Sequence, residues 1–426
     1  MNANLKHAAI LALCASFFCC GGSSGGVPPD DPTAPQVVET EPVDLADNAL
    51  PVQMVSALFS KAMDPATITG ESFTVKGEGG EAIPGDVSIS SNNTAATFTP
   101  GTNFKAGRRY EARITTHARD DAGNAMAADH SWTFSATGSF FVVLSDSHVR
   151  LPGFPDDADY DNAENLANLE EAVETINANY GDALFVAVTG DLAGCLFSSD
   201  PAFYVAGNEN PAEEFKSIMD GLSIPYYTAL GNHDYQMDYD VAEGEGVTAI
   251  TDGDVADMEA VWKKVLGRDP YYSFREGPFR FIVANSNRGK ARDIVCPTLK
   301  HEAMCTGSFD EAQLAWIEGE LASGDETIIF FHHPIYGDNI SNGWSIVGSS
   351  FLVESNDRIY DILEENSATI RKIFFGHGHL FGSDTLHGTI GLHETGSTGD
   401  FRGNPSNMAI VSFDDAGERF ETIRNR

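Results

Sequence analysis

The sequence is poor in basic residues. Only 26 lysines and arginines stand against 63 aspartates and glutamates, which gives a formal net charge of -37 at pH 7. A surface with this charge repels the phosphate backbone of nucleic acids and anionic membranes. We therefore expect no binding to nucleic acid duplexes. The charge is typical of a soluble protein that works outside the cytoplasm.

The sequence also lacks long apolar runs, so we expect no transmembrane helix. The apolar stretch over 8–18 follows one early lysine and has the length of a signal-peptide core. Cys19 and Cys20, followed by GGSSGG, resemble the start of a bacterial lipoprotein, although the residues before them depart from the usual pattern. We expect residues 1–20 to be an export leader, with a lipid anchor on one of these cysteines. The predicted location is the periplasm, outer membrane or cell surface of a bacterium.

Cysteine is scarce beyond this leader, where only Cys195, Cys296 and Cys305 occur. In an exported protein an even subset of cysteines tends to pair. Three thiols allow three pairings. We predict the bridge between Cys296 and Cys305, because these two are close enough in sequence to close a short loop, and we expect Cys195 to be free.

The first part of the chain reads as a linker followed by a β domain. Residues 21–35 are rich in Gly, Ser, Pro and Asp, which is typical of a flexible linker. Over 36–137, short alternating runs are separated by turn residues, which predicts an antiparallel β-sandwich. The stretches LFSKAMDPATI (58–68) and DDAGNAMA (120–127) resemble bacterial Ig-like domains. We interpret this domain as a spacer or as a module that contacts cell-envelope or surface material.

The pattern changes at Ser139, where continuous apolar runs begin to alternate with helical segments. Such runs fit strands that are buried on both faces of a sheet. One helix is predicted over 162–180, and it ends before Gly181. The alternation predicts an α/β domain over 139–426. The predicted strands are Phe140–Ser145, Leu184–Val188, Tyr226–Leu230, Phe279–Ala284, Thr327–Phe331 and Ile373–Phe375.

Five of these strands end in residues that can bind metal. The endings are Asp146-Ser147-His148, Gly190-Asp191, Gly231-Asn232-His233-Asp234, His332-His333-Pro334 and Gly376-His377-Gly378-His379. Each ending alone is typical of a turn or a helix cap. Turn chemistry alone does not explain their joint occurrence in this order.

The pattern DxH…GD…GNHD…HxP…GHxH is similar to the calcineurin-like metallophosphoesterase family, and the resemblance covers 139–426. It implies a four-layer α/β/β/α sandwich, preceded here by the all-β Ig-like domain. It also implies two metal ions above the strand ends. One ion would be held by Asp146, His148, Asp191 and His379. The other would be held by Asp191, Asn232, His332 and His377.

The implied chemistry is hydrolysis of a small phosphate ester by a metal-activated water. Nitrogen and oxygen ligands without thiolate suit two divalent transition-metal ions, namely Mn, Fe, Zn or Co. His233 matches the family's GNHD histidine, which implies that it faces the scissile phosphate as general acid or as a charge stabiliser. Asp234 would orient His233 through a hydrogen bond.

Departures from related families narrow the expected activity. Purple acid phosphatases carry a tyrosine shortly after the GD aspartate and lack the DxH histidine, whereas here Asp191 is followed by LAGC and His148 is present. We therefore do not expect an Fe(III)–tyrosinate centre. The DxH variant favours a phosphodiesterase. Two alternatives stay open: a phosphomonoesterase, and a catalytically silent surface-binding protein that acts through its Ig-like domain.

Overall fold

The protein is described by a computed structural model. The predicted leader, Cys195 and the predicted Cys296–Cys305 bridge lie outside the residues that the structure describes. Among the described residues, no helix combines the length and the apolar character needed to cross a membrane. The structure describes residues 33–51, 54–105, 108–136, 138–150, 162–194, 210–235, 252–289, 306–339, 352–399, 407–414 and 420–425.

The N-terminal domain is a sandwich of two four-stranded sheets. One sheet has the strand order β1-β3-β6-β5 and the other has the order β2-β8-β7-β4. Successive side chains of a strand point to opposite faces of the sheet. This places Phe73, Val75, Trp132 and Phe134 in the core between the sheets. The strands are β1 (Val37–Glu41), β2 (Ala46–Ala49), β3 (Val55–Phe59), β4 (Phe73–Gly77), β5 (Gly85–Ile89), β6 (Ala95–Pro100), β7 (Arg109–Ile114) and β8 (His130–Ala136).

The C-terminal domain contains two larger mixed sheets and five described helices. The helices are α1 (Asn162–Asn179), α2 (Pro211–Met219), α3 (Asp252–Leu266), α4 (Glu311–Leu321) and α5 (Ile359–Glu365). The strands are β9 (Ser139–Leu144), β10 (Val186–Thr189), β11 (Tyr226–Ala229), β12 (Tyr272–Glu276), β13 (Phe279–Val283), β14 (Thr327–Phe330), β15 (Ile370–Phe375), β16 (Phe381–Leu386), β17 (Ile390–Thr395), β18 (Met408–Phe413) and β19 (Phe420–Asn425).

The two sheets are packed face to face and covered by helices on their outer sides. The first sheet has the order β11-β10-β9-β18-β19 and the second has the order β12-β13-β14-β15-β17-β16. Strand β9 is apolar at successive positions because both of its faces are buried. Phe140, Val142 and Leu144 pack with residues of α1, α2 and α3, while Phe141 and Val143 pack between the sheets. The predicted four-layer α/β/β/α architecture is confirmed.

The layer between the sheets is rich in phenylalanine. The ring of Phe141 in the first sheet stacks on Phe185 at 5.0 Å between centroids. It also makes edge contacts with Phe281, Phe330 and Phe374 of the second sheet at 5.7–5.9 Å. Aromatic pairs of this kind add to the free energy gained by burial. The contacts tie the centres of the two sheets together.

The parallel strands bring their carboxyl ends to one edge of each sheet. Strands β9, β10 and β11 are parallel to one another, and so are β13, β14 and β15. Loops after the carboxyl ends of parallel strands are the usual place for ligands in α/β proteins. The five predicted motifs follow β9, β10, β11, β14 and β15.

Candidate metal centre

All nine residues predicted for the site lie in loops that directly follow these strands, and the structure brings them together. None exceeds 9% exposure. They come from both sheets, so the site depends on the packing between the sheets. The residues are Asp146 and His148 after β9, Asp191 after β10, Asn232, His233 and Asp234 after β11, His332 after β14, and His377 and His379 after β15.

One group of possible donor atoms comprises Asp146, His148, Asp191 and His379. These residues offer ligand atoms that all lie within 4.8 Å of one another. The Nε2 atoms of His148 and His379 are 3.1 Å apart. The Nε2 of His379 lies 3.2 Å from Oδ1 of Asp146. The Nε2 of His148 lies 3.8 Å from Oδ2 of Asp191.

A second group comprises Asp191, His332 and His377, whose ligand atoms also lie within 4.8 Å of one another. The Nε2 of His332 lies 3.1 Å from Oδ2 of Asp191 and 3.0 Å from Oδ1 of Asn232. Asn232 therefore adds an amide oxygen to this group. Asp191 belongs to both groups, and its Oδ2 faces the histidines of each.

These spacings fit the coordination of transition metals. Donor atoms around a tetrahedral ion with bonds of about 2.1 Å are separated by about 3.4 Å. The separations between Nε2 and carboxylate oxygen atoms run from 3.1 to 3.9 Å across both groups. The other nitrogen of His332, Nδ1, lies 2.9 Å from the carbonyl oxygen of Thr189. Because that contact occupies Nδ1, Nε2 is directed at the site, as is usual for metal-binding histidines.

The electrostatics of the site favour a cation at the shared carboxylate. Burial alone would raise the pKa of Asp191, but the neighbouring His332, His233 and His148 hold it well below its usual range. Burial alone would lower the pKa of His332, but the Asp191 and Asp146 carboxylates raise it to about 9. Asp191 is therefore ionised at neutral pH and interacts strongly with positive charge.

The backbone of the site is unusual, because five of the seven proposed ligands have positive φ. Left-handed backbone costs a residue other than glycine about 1–3 kcal/mol and persists where the surroundings enforce it. Such residues cluster at functional sites. The five are Asp146 (φ 52°), His148 (46°), Asp191 (49°), His377 (71°) and His379 (56°).

Two motif glycines allow close approach to the carboxylates. A Cβ at Gly231 would lie 2.1 Å from Oδ1 of Asp191, and a Cβ at Gly376 would lie 2.3 Å from Oδ2 of Asp146. Contacts this short do not occur in proteins, so any side chain at either position would displace a proposed ligand. The glycines of the GNHD and GHGH motifs are thus part of the geometry of the site.

We expect Gly231→Ala to lower metal affinity by about 10–100-fold, the range seen when groups that support metal ligands are lost. The added methyl group must push the Asp191 carboxylate out of both donor groups. Metal affinity is measured by competition with a chromophoric chelator. Gly319→Ala is the matched control, because Gly319 lies in α4 and a Cβ there meets no atom within 4 Å. Unchanged affinity in Gly231→Ala would contradict this account of the glycine.

The structure corrects the role predicted for Asp234. The expected hydrogen bond to the His233 ring is not formed in the described part of the chain. Instead, the Asp234 carboxylate accepts backbone N–H groups from Gly231 at 2.8 Å, Ala193 at 2.9 Å and Leu192 at 3.3 Å. Burial, together with the nearby Asp191, raises the pKa of Asp234 to about 7. These hydrogen bonds join the GD loop to the GNHD loop.

His233 lies beside the first donor group. Its backbone N–H donates to Oδ1 of Asp191 at 2.9 Å, and its ring centroid is 4.7 Å from that of His148. The Nε1–H of Trp262 in α3 donates to the carbonyl of Asp234 at 3.0 Å and joins the GNHD motif to that helix. His233 is therefore placed next to the site, while the ligand atoms counted above come from other residues.

Several supporting residues had no motif signal in the sequence. The hydroxyl of Ser397 donates to the carbonyl of Asp146 at 2.8 Å. The Nδ2–H of Asn165 in α1 donates to the carbonyl of His148 at 3.2 Å. Glu394 is 1% exposed and accepts the N–H of Leu380, directly after the GHGH motif. An acidic residue on the same strand face as the apolar Ile390 and Leu392 of β17 was the hint of Glu394 that the sequence offered.

Two family profiles match the chain in the predicted order. The profile of the bacterial Ig-like domain matches residues 31–136. The profile of the calcineurin-like phosphoesterase matches residues 141–381, which is more than half of the chain.

Individual relatives are more distant. A probable cyclic nucleotide phosphodiesterase of Rhodopseudomonas palustris is 35% identical over 99 residues, and the match spans 22% of this chain and 29% of that protein. A dimetal phosphatase from Danio rerio is 13% identical, with a TM-score of 0.43, over 67% of this chain and 99% of that chain. A purple acid phosphatase from yellow lupin (Lupinus luteus) is 13% identical, with a TM-score of 0.42, over 92% of this chain and 74% of that chain. TM-scores below 0.5 say nothing about the activity of this chain.

Proposed function

The chain belongs to the calcineurin-like phosphoesterase family, as its motifs predicted, and from this premise we propose that it is an exported dinuclear phosphoesterase. In this proposal the enzyme hydrolyses small phosphate esters. One observation carries the proposal: Asp191 belongs to two groups of donor atoms that meet at its carboxylate. A carboxylate shared by two donor groups is suited to hold a pair of neighbouring ions.

Divalent ions bound here would supply Lewis acidity that activates a water molecule and neutralises the charge of a phosphate ester. The donor set contains imidazole nitrogens and carboxylate or amide oxygens, without thiolate. Such donors suit Mn, Fe, Zn or Co. We propose Asp146, His148, Asp191 and His379 for one ion, and Asp191, Asn232, His332 and His377 for the other.

The chain's own contribution is to bind, orient and stabilise. Asp191 holds the GNHD loop through the N–H of His233, which places the His233 ring beside the first donor group. We propose that this ring contacts the phosphate ester and stabilises the charge that develops on its leaving oxygen. The buried Asp234 keeps the two loops together.

We propose a preference for phosphodiesters. The DxH histidine, His148, is present and contributes a donor atom to the first group. The relative that shares 35% identity over 99 residues carries the name of a cyclic nucleotide phosphodiesterase. A phosphomonoesterase is the alternative, because both activities need the same donor groups.

We further propose that the enzyme acts outside the bacterial cytoplasm. The bacterial Ig-like domain and the acidic composition support this location. In this proposal the leader over 1–20 directs export, Cys19 or Cys20 carries a lipid anchor, and the Ig-like domain contacts cell-envelope or surface material. Cys296 and Cys305 would form a bridge in that oxidising environment.

The test is hydrolysis of bis-p-nitrophenyl phosphate and p-nitrophenyl phosphate in parallel. The full chain is purified without metal and reloaded with manganese, zinc, iron or cobalt. We expect metal-dependent turnover, with the diester hydrolysed faster than the monoester. A faster monoester reaction would select the phosphomonoesterase. A chain that binds two ions and hydrolyses neither ester would point to a narrower substrate, whereas a chain that binds no metal would refute the proposed function.

A further inference from the structure

The loop that carries His377 and His379 must hold two imidazoles one residue apart in left-handed backbone. Their φ angles are 71° and 56°. The two imidazoles can bind separate ions only if each ring keeps a different, fixed orientation. His379 directs Nε2 at Asp146 and His148, whereas His377 belongs to the group of Asp191 and His332. A loop in this conformation needs fixed partners for its backbone N–H groups.

The first half of the loop is held by groups that the motifs already contain. The N–H of Gly376 donates to the carbonyl of His332 at 3.0 Å. The N–H of His377 lies 3.1 Å from both carboxylate oxygens of Asp146. Asp146 therefore supports the loop in addition to offering an atom to the site.

The second half of the loop rests on Glu394, which belongs to no motif. The N–H of Leu380 donates to Oε1 of Glu394 at 3.2 Å, and the N–H of Gly378 donates to the carbonyl of Gly376 at 2.9 Å. Strand β17 runs parallel to β15, and its residue Glu394 pairs with Phe375, directly before the loop. From within the sheet, the side chain thus reaches the backbone directly after His379.

The burial of position 394 restricts which side chains can occupy it. Glu394 is 1% exposed, and a carboxylate at such a position is retained where it accepts hydrogen bonds from defined donors. Leu392, two residues earlier on the same face of β17, is part of the apolar core under α4 and α5. An apolar residue at position 394 would continue that core but would leave the N–H of Leu380 without this acceptor.

We propose that Glu394 is a positioning residue of the metal centre, whose carboxylate fixes the 376–380 loop so that His377 and His379 face separate ions. This role rests on the proposed function, because it requires ions at the two donor groups. What matters is the reach of the side chain to the backbone N–H of Leu380, directly after His379. Loss of that reach lets His379 turn away from Asp146 and His148.

Two variants separate the reach of the side chain from its acid group. Glu394→Asp keeps the acid group but shortens the side chain by one methylene group. Glu394→Gln keeps the length and one acceptor oxygen but replaces the acid by an amide. We expect Glu394→Asp to weaken metal binding by about 10–100-fold and Glu394→Gln to stay within about threefold of the natural chain. Affinity is measured on the full chain with Zn²⁺ against a chromophoric chelator, and ligand geometry is followed by the visible spectrum of bound Co²⁺.

Asp120→Asn is the matched control. Asp120 is a 1% exposed carboxylate of the Ig-like domain that accepts the backbone N–H of Asn124 at 2.7 Å. We expect it to lower Tm without changing metal affinity or the Co²⁺ spectrum. A merely structural effect of Glu394 would likewise lower Tm alone.

The outcomes are distinct. If Glu394→Gln loses at least as much affinity as Glu394→Asp, or if both bind metal as the natural chain does, the positioning role is overturned while the proposed function stands. If the natural chain binds no ions, the proposed function fails and this role fails with it. Weaker binding in Glu394→Asp alone, with an altered Co²⁺ spectrum, supports the role.

Discussion

Asp191→Asn is expected to lower kcat/KM by more than about 100-fold, which exceeds the usual loss for groups that merely support metal ligands. The carboxylate belongs to both donor groups, so one substitution weakens two sites. The amide is neutral, and the charge that balances the cations in the centre is lost. Oδ1 of Asp191 accepts the N–H of His233, and an asparagine that keeps this contact turns its NH2 group, which cannot bind metal, towards the histidines that face Oδ2.

The measurement for Asp191→Asn combines kinetics with metal content by mass spectrometry. We expect fewer than two ions per chain and no recovery of the natural rate at high metal concentration. Asp120→Asn in the Ig-like domain serves again as the control and should keep both ions. An Asp191→Asn variant that binds two ions and turns over at the natural rate would refute the proposal that both ions share the Asp191 carboxylate.

The fold could be predicted largely from apolar patterning. The run FFVVL is apolar at every position because one face of β9 packs on helices and the other on the second sheet. The predicted helix over 162–180 is α1, which ends at Asn179. Strand ends were less certain: Ile373–Phe375 was predicted, whereas β15 begins at Ile370, because the polar Arg371 and Lys372 concealed its start.

Site residues that belong to short sequence motifs could be predicted. Site contacts between residues that are distant in the sequence could not. Each proposed ligand stands within four residues of a strand end, so the order of motifs identified it. Two of the three backbone partners of Asp234, Ala193 and Leu192, lie 41 and 42 residues away, and no local sequence pattern indicates them. The expected bond to His233 was wrong for this reason. Glu394 was missed because only the folded loop brings it under Leu380.

The second large effect is expected from His233→Ala, which should lower kcat by about 100-fold or more while both ions stay bound. The His233 ring lies 4.7 Å from that of His148, next to the first donor group, but the donor groups themselves are made by other residues. The backbone N–H of His233 that donates to Asp191 is kept in the alanine variant. The substitution therefore removes the imidazole and leaves the support of the shared carboxylate in place.

The decisive comparison for His233→Ala is between two esters with different leaving groups. If the imidazole stabilises the leaving oxygen, an ester with a poor leaving group such as an alkoxide should lose more rate than one with p-nitrophenolate, which leaves without assistance. Metal content and KM should stay close to those of the natural chain. Equal losses with both esters would assign His233 to phosphate binding instead, and an unchanged kcat would remove it from the mechanism. Loss of an ion would show that the imidazole itself supports the metal centre, since the backbone contact with Asp191 is the same in both chains.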